Sequence, residues 1–151
     1  MATCMRDQGR LREQLAESTR SVLETMCSLI PSLDEGLSED QREQLECVEV
    51  KFTGPLKGSL VMAAGQDAAE VLAPAFLGMD SEEMAPDSVA AVLAEMANMI
   101  CGATVSRMEP DGRFSLTMPA PAGPLPDAKE CTAELGLDCG CGSIVVQMRI
   151  E

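Results

Sequence analysis

The segment Ser88–Ser106 constrains the fold more than any other, because its 19 residues include a single charged side chain, Glu95. At about 100° per residue, its larger apolar side chains share one side of a helix, which predicts a core-facing surface. That predicted core face consists of Val89, Val92, Leu93, Met96, Met99, Ile100 and Ala103. A second stripe lies well away from it and consists of Ala91, Glu95, Asn98 and Gly102. Small residues fill the flank between the two: Ala90, Ala94, Ala97 and Cys101.

The second stripe is unlike an ordinary solvent-facing helix surface, which carries Lys, Glu and Arg. It places the carboxylate of Glu95 beside the carboxamide of Asn98, at i and i+3, among small side chains. Small neighbours allow another molecule to approach closely, so the stripe is a candidate functional surface. For the pattern alone, the commoner explanation is packing: a helix buried on two sides, with both polar groups satisfied by local hydrogen bonds.

Length and charge limit the class of protein. A chain of 151 residues suits one domain with its own core, so we expect a single domain over residues 1–151. The formal net charge of −14 creates a field that repels phosphate backbones and anionic lipid. We therefore expect no nucleic-acid partner and no membrane surface, and the same field favours a partner that offers Lys or Arg.

Neither a targeting signal nor a membrane span is expected. Met1–Asp7 lacks a basic region followed by an apolar region, as a signal peptide would have. No run approaches the roughly 20 apolar residues of a span. The sequence therefore predicts a cytoplasmic protein.

Seven cysteines, an odd number in a chain with no recognised export signal, predict reduced thiols that serve mostly as small core residues. One cluster, Cys131 with Cys139 and Cys141, could offer three thiolates to zinc or to an iron–sulfur cluster. Histidine is absent and neither common zinc spacing occurs, so the segment around Cys139 and Cys141 is better explained as a Gly-rich hairpin turn. We expect no metal or cofactor of the protein's own. Without histidine, a nucleophilic Ser or Cys would also lack its usual base.

The order of predicted elements indicates an α+β fold. A helix over about residues 10–29 ends before Pro31 and leads into an acidic loop over 31–44. A hairpin over 47–52 and 58–63 follows, then a helix over 68–77 capped by Asp67, and then the helix over 88–106. A short strand over 114–118, a Pro-rich connection over 119–126 and a second hairpin over 132–137 and 144–150 close the chain. We expect a mainly antiparallel sheet with long helices packed on one face.

The two longest predicted helices share a pattern. Ser21–Ile30 overlays Ala91–Ile100, with Val, Leu, Met and Ile at the same places. The two helices are either pseudo-equivalent or simply both amphipathic. In the first helix, Thr25 and Ser28 stand where the second has its polar pair.

Several short segments form a recognisable series. They are a hairpin with two glycines at Phe52–Val61, a helix at Ala68–Leu77 followed by Gly78, the E-x-x-N helix at Leu93–Gly102, and a strand ending in proline at Leu116–Pro119, with Pro121 just beyond. In this order, and over about Leu11–Met148, the chain resembles the CheX/CheC family of bacterial chemotaxis proteins, which dephosphorylate the phosphorylated response regulator CheY. The single E-x-x-N pair is more similar to CheX than to the two-site CheC arrangement.

The resemblance implies a CheX-like fold and specific roles for the stripe. Glu95 would pair with the active-site Lys of the response regulator, and Asn98 would align a water for in-line attack on phosphorus. Ala91, Ala94 and Gly102 would let the helix lie against the regulator. Mg²⁺ would belong to the partner receiver domain, and the likeness to CheX implies a homodimer.

Ala91 departs from the family pattern, since many members carry an acidic residue or Ser one turn before the Glu. The departure leaves reduced activity open. We prefer an aspartyl-phosphate phosphatase acting through Glu95 and Asn98. The alternatives are a non-catalytic adaptor that docks on a response regulator through the same helix, and a purely structural role. In the structural role the small-residue face is a dimer or inter-helix contact, and burial of Glu95 and Asn98 inside the protomer would favour it.

Overall fold

The structure is a computed structural model that describes residues 3–33, 37–140 and 142–151. For residues 3–7, Ser81 and Pro86 it describes the backbone alone. Within these residues the α-helices are α1 (Thr3–Cys27), α2 (Glu39–Glu43), α3 (Gln66–Leu77) and α4 (Pro86–Met108). The strands are β1 (Ser32–Leu33), β2 (Glu46–Thr53), β3 (Gly58–Ala64), β4 (Ser115–Leu116), β5 (Ala120–Ala122), β6 (Ala133–Asp138) and β7 (Ser143–Ile150).

One sheet contains all the strands of the described chain, in the order β1-β6-β7-β3-β2-β4, and every pairing is antiparallel. The short strand β5 also pairs with β2, so β4 and β5 share one edge of that strand. The two predicted hairpins are confirmed as β2–β3 and β6–β7, and β7 joins them by pairing with β3 along its whole length.

The long helices α1, α3 and α4 pack together on one face of the sheet, as predicted. Alternate β2 residues, Val48, Val50 and Phe52, point toward these helices and are buried in the main core. The helix α4 contacts β2, β3, α1 and α3, so it lies centrally on this face. The fold is therefore the α+β arrangement that the sequence predicts.

The opposite face of the sheet carries a smaller core formed by Cys47, Val61, Ala63 and Val145. Leu37 and Leu45, on either side of α2, and Leu125 of the Pro-rich connection pack against it. The two segments that cover this smaller core, around α2 and in the Pro-rich connection, differ from the predicted elements. The supposed loop over 31–44 contains β1 and α2, with residues 34–36 outside the described residues. The Pro-rich connection contains β5.

Capping chemistry explains two of the differences. The helix α2 forms because Ser38 and Gln41 make a reciprocal capping box, in which each side chain accepts a hydrogen bond from the backbone N–H of the other residue. The predicted cap of α3 is wrong: Gly65 is its N-cap residue, and Asp67 lies in its first turn. At the end of α1, Ser28 has a φ of 55°, so the position that matches Asn98 lies beyond the helix. The first helix therefore cannot display a second polar pair in the same geometry.

By length and composition alone, the 22 residues of α4 from Asp87 to Met108 could cross a membrane. This differs from the expectation that no segment is long and apolar enough to span a membrane. In the fold, α4 is the central helix against the sheet, and a core helix passes the same test.

Candidate functional site

The helix α4 presents the predicted polar pair to solvent. Glu95 and Asn98 are exposed, whereas Met96, Ala97 and Ile100 on the other side of the helix are fully buried. Burial of both polar side chains inside the protomer would favour a purely structural role through a contact between helices. Both are exposed, which excludes a contact between helices of one protomer, whereas a dimer contact through this face stays an alternative.

The buried arc of α4 is broader than the predicted core face. Ala97, Cys101 and Thr104 are completely buried, because α4 packs against α1 as well as against the sheet. Of the predicted core face, Val89, Met99 and Ala103 are only half-buried. Part of the packing explanation is therefore right, since the helix is covered on two sides, but the covered sides exclude the polar pair.

Helix chemistry fixes the stripe in place. Pro86 lies at the start of α4, where its missing N–H costs no hydrogen bond, and Asp87 lies in the first turn and Arg107 in the last, which suits the helix dipole. Thr104 Oγ1 donates to the Ile100 carbonyl at 2.7 Å, so its hydroxyl is satisfied inside the core. The polar pair therefore projects from a rigid helix that is anchored on both flanks.

The stripe has the composition of a contact surface. Ala91 is exposed beside the polar pair, and Ala94 and Gly102 are half-buried. At i and i+3 the Cβ atoms of Glu95 and Asn98 lie about 5–6 Å apart. Within the described part of the chain neither side chain has a hydrogen bond or an ion pair. Glu95 can therefore anchor a cation, while the Asn98 amide can donate and accept at the same time.

Gly102 lies beside the sheet edge as well as on the stripe. A Cβ on Gly102 would stand 3.9 Å from Leu116 Cδ2, an ordinary van der Waals distance. The sequence pattern of α4 could not reveal this neighbour, because Leu116 reaches the helix only through the pairing of β4 with Phe52. The site is therefore bordered by a strand as well as formed by a helix.

Thiol chemistry does not contribute to this site. Burial raises the pKa of the Cys101 thiol to about 12, and burial with nearby Glu134 raises the pKa of Cys131 to about 11, so both are protonated at neutral pH. Of the predicted thiol cluster, Cys131 and Cys139 are half-buried and Cys141 lies outside the described residues. The described residues contain no group of three or more Cys, Asp or Glu placed to hold a metal ion.

The family model described as chemotaxis phosphatase CheX matches residues 47–122, just over half of the chain. This segment runs from β2 to β5 and includes the whole of α4. No curated protein matches the sequence.

Solved structures share the fold. The chemotaxis protein CheX of Vibrio vulnificus is 17% identical, with a TM-score of 0.73 over 93% of this chain and 96% of that one. CheX of Desulfovibrio desulfuricans is 16% identical, with a TM-score of 0.69 over 93% and 99%. In a CheX–CheY–BeF₃–Mg²⁺ complex from Borrelia burgdorferi, the matching chain is 18% identical, with a TM-score of 0.65 over 92% and 96%.

Proposed function

Because the chain belongs to the CheX family of chemotaxis phosphatases, we propose that it hydrolyses the aspartyl phosphate of a CheY-like response regulator. The observation that carries this proposal is the exposed pair Glu95 and Asn98, which stands on α4 without intramolecular partners in the described residues. The similar CheX structure from Borrelia burgdorferi, in complex with CheY, supports the choice of partner.

Asn98 is the residue that we assign to the attacking water. An amide has no useful pKa and cannot act as a general base, but its oxygen and nitrogen can hold a water in a fixed orientation. Phosphoryl transfer asks little more of a catalyst than positioning and charge stabilisation. Because Asn98 is exposed on a rigid helix, it can enter a shallow phosphorylation site on another protein.

Glu95 is the residue that we assign to anchoring. It is the one charge on the stripe, so it can pair with the active-site Lys of the regulator without competing cations nearby on α4. The neighbouring residues have small side chains or none, namely Ala91, Ala94 and Gly102. The helix backbone can therefore approach the regulator closely. The net charge of −14 would accelerate encounter with a partner that presents a cation.

The proposed step balances without a covalent enzyme intermediate. The oxygen of water forms a bond to phosphorus as the bond from phosphorus to the aspartyl oxygen breaks. The products are the free aspartate carboxylate and inorganic phosphate, which takes up both protons of the water and releases one to solvent at neutral pH. The receiver's own Mg²⁺ would stabilise the charge on the phosphoryl oxygens when bound there. This chain then needs no metal of its own.

We extend the proposal to the setting of the protein. We propose a cytoplasmic homodimer that meets the regulator through α4 of each protomer. Light scattering of the purified protein measures the oligomeric state directly, and a monomeric mass at micromolar concentration would contradict the dimer.

An adaptor function is the second candidate, and Ala91 is the observation that favours it. Ala91 is exposed one turn before Glu95, at the place where many family members carry an acidic residue or Ser. A site that has lost this group could still dock on a regulator while hydrolysing little phosphate.

One experiment separates the two candidates. Each CheY-like receiver of the source genome is phosphorylated, and phosphate release is followed with and without this protein. A phosphatase accelerates release from at least one receiver. Binding to a receiver without acceleration supports the adaptor, and neither binding nor acceleration contradicts both.

A further inference from the structure

The edge strand beside α4 contains a β-bulge. Phe52 pairs with Leu116 and Glu49 pairs with Ala120, so three residues of the edge segment stand opposite two of β2. The Thr117 amide donates to the Lys51 carbonyl at 2.9 Å, which leaves Met118 and Pro119 together opposite Val50. A bulge changes the direction of a side chain locally and is frequent beside active sites.

The helix α4 runs in the same direction as β2. At their beginnings, Glu46 lines the same groove as Val89 and Ala90. Beyond their ends, Gly112 lies against the ring of Pro55. The two elements can therefore be aligned residue by residue, which gives the height of each site residue along the sheet edge.

This alignment gives the bulge about the same height along the sheet edge as Asn98. Gly102 is about level with Leu116, because a Cβ on Gly102 would lie 3.9 Å from Leu116 Cδ2. Asn98 lies four residues earlier, about 6 Å along the helix, and about two strand residues cover the same distance. Asn98 is therefore level with Val50, and so with Met118 at the bulge.

Met118 is the most exposed of the large apolar side chains described, with 88% of its surface accessible. It lies in a segment, residues 114–126, that contains no charged residue, although 24% of the chain is charged. Pro121, a little further along this edge, is also exposed. The uncharged edge therefore adjoins the uncharged part of the α4 stripe at Leu116 and Gly102, one helical turn from Asn98.

We propose that Met118 is a contact residue for the receiver domain, and that the bulged edge and the α4 stripe together form the docking surface. This inference rests on the proposed function and names a second element of the same interface. The occupant is the receiver. A protein that binds over Asn98 also reaches Met118, because the two residues lie at the same height along the sheet edge. The chemistry that it must offer is an apolar patch next to its phosphorylation site.

The test compares Met118→Ala with Met118→Leu and Ile30→Ala. Ile30 is a matched control, since it is 85% exposed and precedes β1 at the opposite edge of the sheet. For each variant we would measure KM and kcat of phosphate release, and the Kd for a receiver activated with beryllofluoride and Mg²⁺. Met118→Ala should raise KM and Kd about fivefold or more with kcat within about twofold of wild type, while Met118→Leu and Ile30→Ala stay near wild type.

The outcomes are distinguishable from failure of the proposed function. A Kd for Met118→Ala within about twofold of wild type overturns the inference, even if the wild-type protein is an active phosphatase. If the wild-type protein binds without turnover, the phosphatase proposal fails and the Kd values still decide the role of Met118. Absence of binding to any receiver overturns both. Unchanged circular dichroism of the variants confirms that they are folded.

Discussion

The guanidinium of Arg42 donates two hydrogen bonds to the carboxylate of Glu134, from Nη1 to Oε1 at 2.8 Å and from Nη2 to Oε2 at 2.9 Å. Gln147 Nε2 donates to the same carboxylate at 2.7 Å, and Gln147 and Arg42 both donate to the Pro126 carbonyl. These bonds hold α2 and the loop after β5 against the face of the sheet opposite α4. Two-pronged, charge-assisted pairs belong to the strong class of hydrogen bonds.

Glu134→Gln should destabilise the protein by about 1–2 kcal/mol at pH 7, because Arg42 loses its countercharge at a site only about one-fifth exposed. Burial opposes ionisation of Glu134, but the bonds from Arg42 and Gln147 outweigh it and lower its pKa below the ordinary 4.5. A lowered pKa in the folded state means that the stabilisation is complete above pH 4.5 and is lost as pH falls through the lower folded value. The difference in unfolding free energy between wild type and variant should therefore shrink as the pH falls below 4.5.

Urea denaturation at pH 7 and at about pH 3 measures this difference. Glu151→Gln is the control, since the Lys57–Glu151 pair is exposed and 3.7 Å long, and its loss should change stability by less than about 0.5 kcal/mol. An equal cost of Glu134→Gln at both pH values would contradict the role of the carboxylate charge.

Gly58→Ala should destabilise the sheet by about 2 kcal/mol or more, because a Cβ there would overlap the carbonyl oxygen of Arg149 in the neighbouring strand β7. Gly123→Ala is the matched control, since nothing lies within 4 Å of a Cβ at that position. Thermal melts compare the two variants. Equal melting temperatures would show that β3 and β7 are not as close as in this fold.

Gly102→Ala should separate stability from function. Alanine is about 1 kcal/mol more favourable than glycine inside a helix, and the new methyl group would meet Leu116 only at an ordinary contact distance. The same methyl would stand on the docking surface, so the Kd for the receiver should rise about tenfold. Gly9→Ala in α1, with nothing within 4 Å, should stabilise without changing binding. If Gly102→Ala binds the receiver as tightly as wild type does, the proposal that α4 approaches the regulator closely at this position is wrong.

Glu95→Lys should weaken receiver binding more than tenfold, because it replaces the proposed anchor for a Lys with a like charge. Glu43→Lys changes the net charge by the same amount from exposed α2, on the opposite face of the sheet. Titration calorimetry at low and high salt distinguishes a local ion pair from the long-range field, since salt screens the field within about 10 Å at 0.1 M. Equal weakening by the two variants would assign the effect to net charge alone.

Periodicity was enough to predict most of the fold, because the long elements bury one side. The 3.6-residue pattern of α1 and α4 and the two hairpins with turn residues between alternating strands are all present in the structure. The short elements β1, α2 and β5 could not be found in this way. Each is five residues or fewer and depends on a capping box or on a partner strand far away in the chain.

The candidate site was predicted in part. The stripe of Ala91, Glu95, Asn98 and Gly102 could be read from α4 alone, because a helix fixes which residues share a side. The buried arc of α4 is wider than its apolar pattern predicts, because α1 also packs against this helix. The burial of Ala97 could therefore not be predicted from α4 alone. The sheet edge at Met118 was not predicted, because a bulge is set by pairing register and leaves no local signal.

The most direct test of the central claim is turnover by Asn98→Ala on a phosphorylated receiver, beside Gln66→Ala, which removes an exposed amide from α3 instead. Loss of the group that orients the water should lower kcat about 100-fold while the Kd for the receiver stays near wild type. Gln66→Ala should leave both unchanged. A kcat for Asn98→Ala equal to that of wild type, in folded protein that accelerates phosphate release, would contradict the assignment of Asn98 and with it the account of the site.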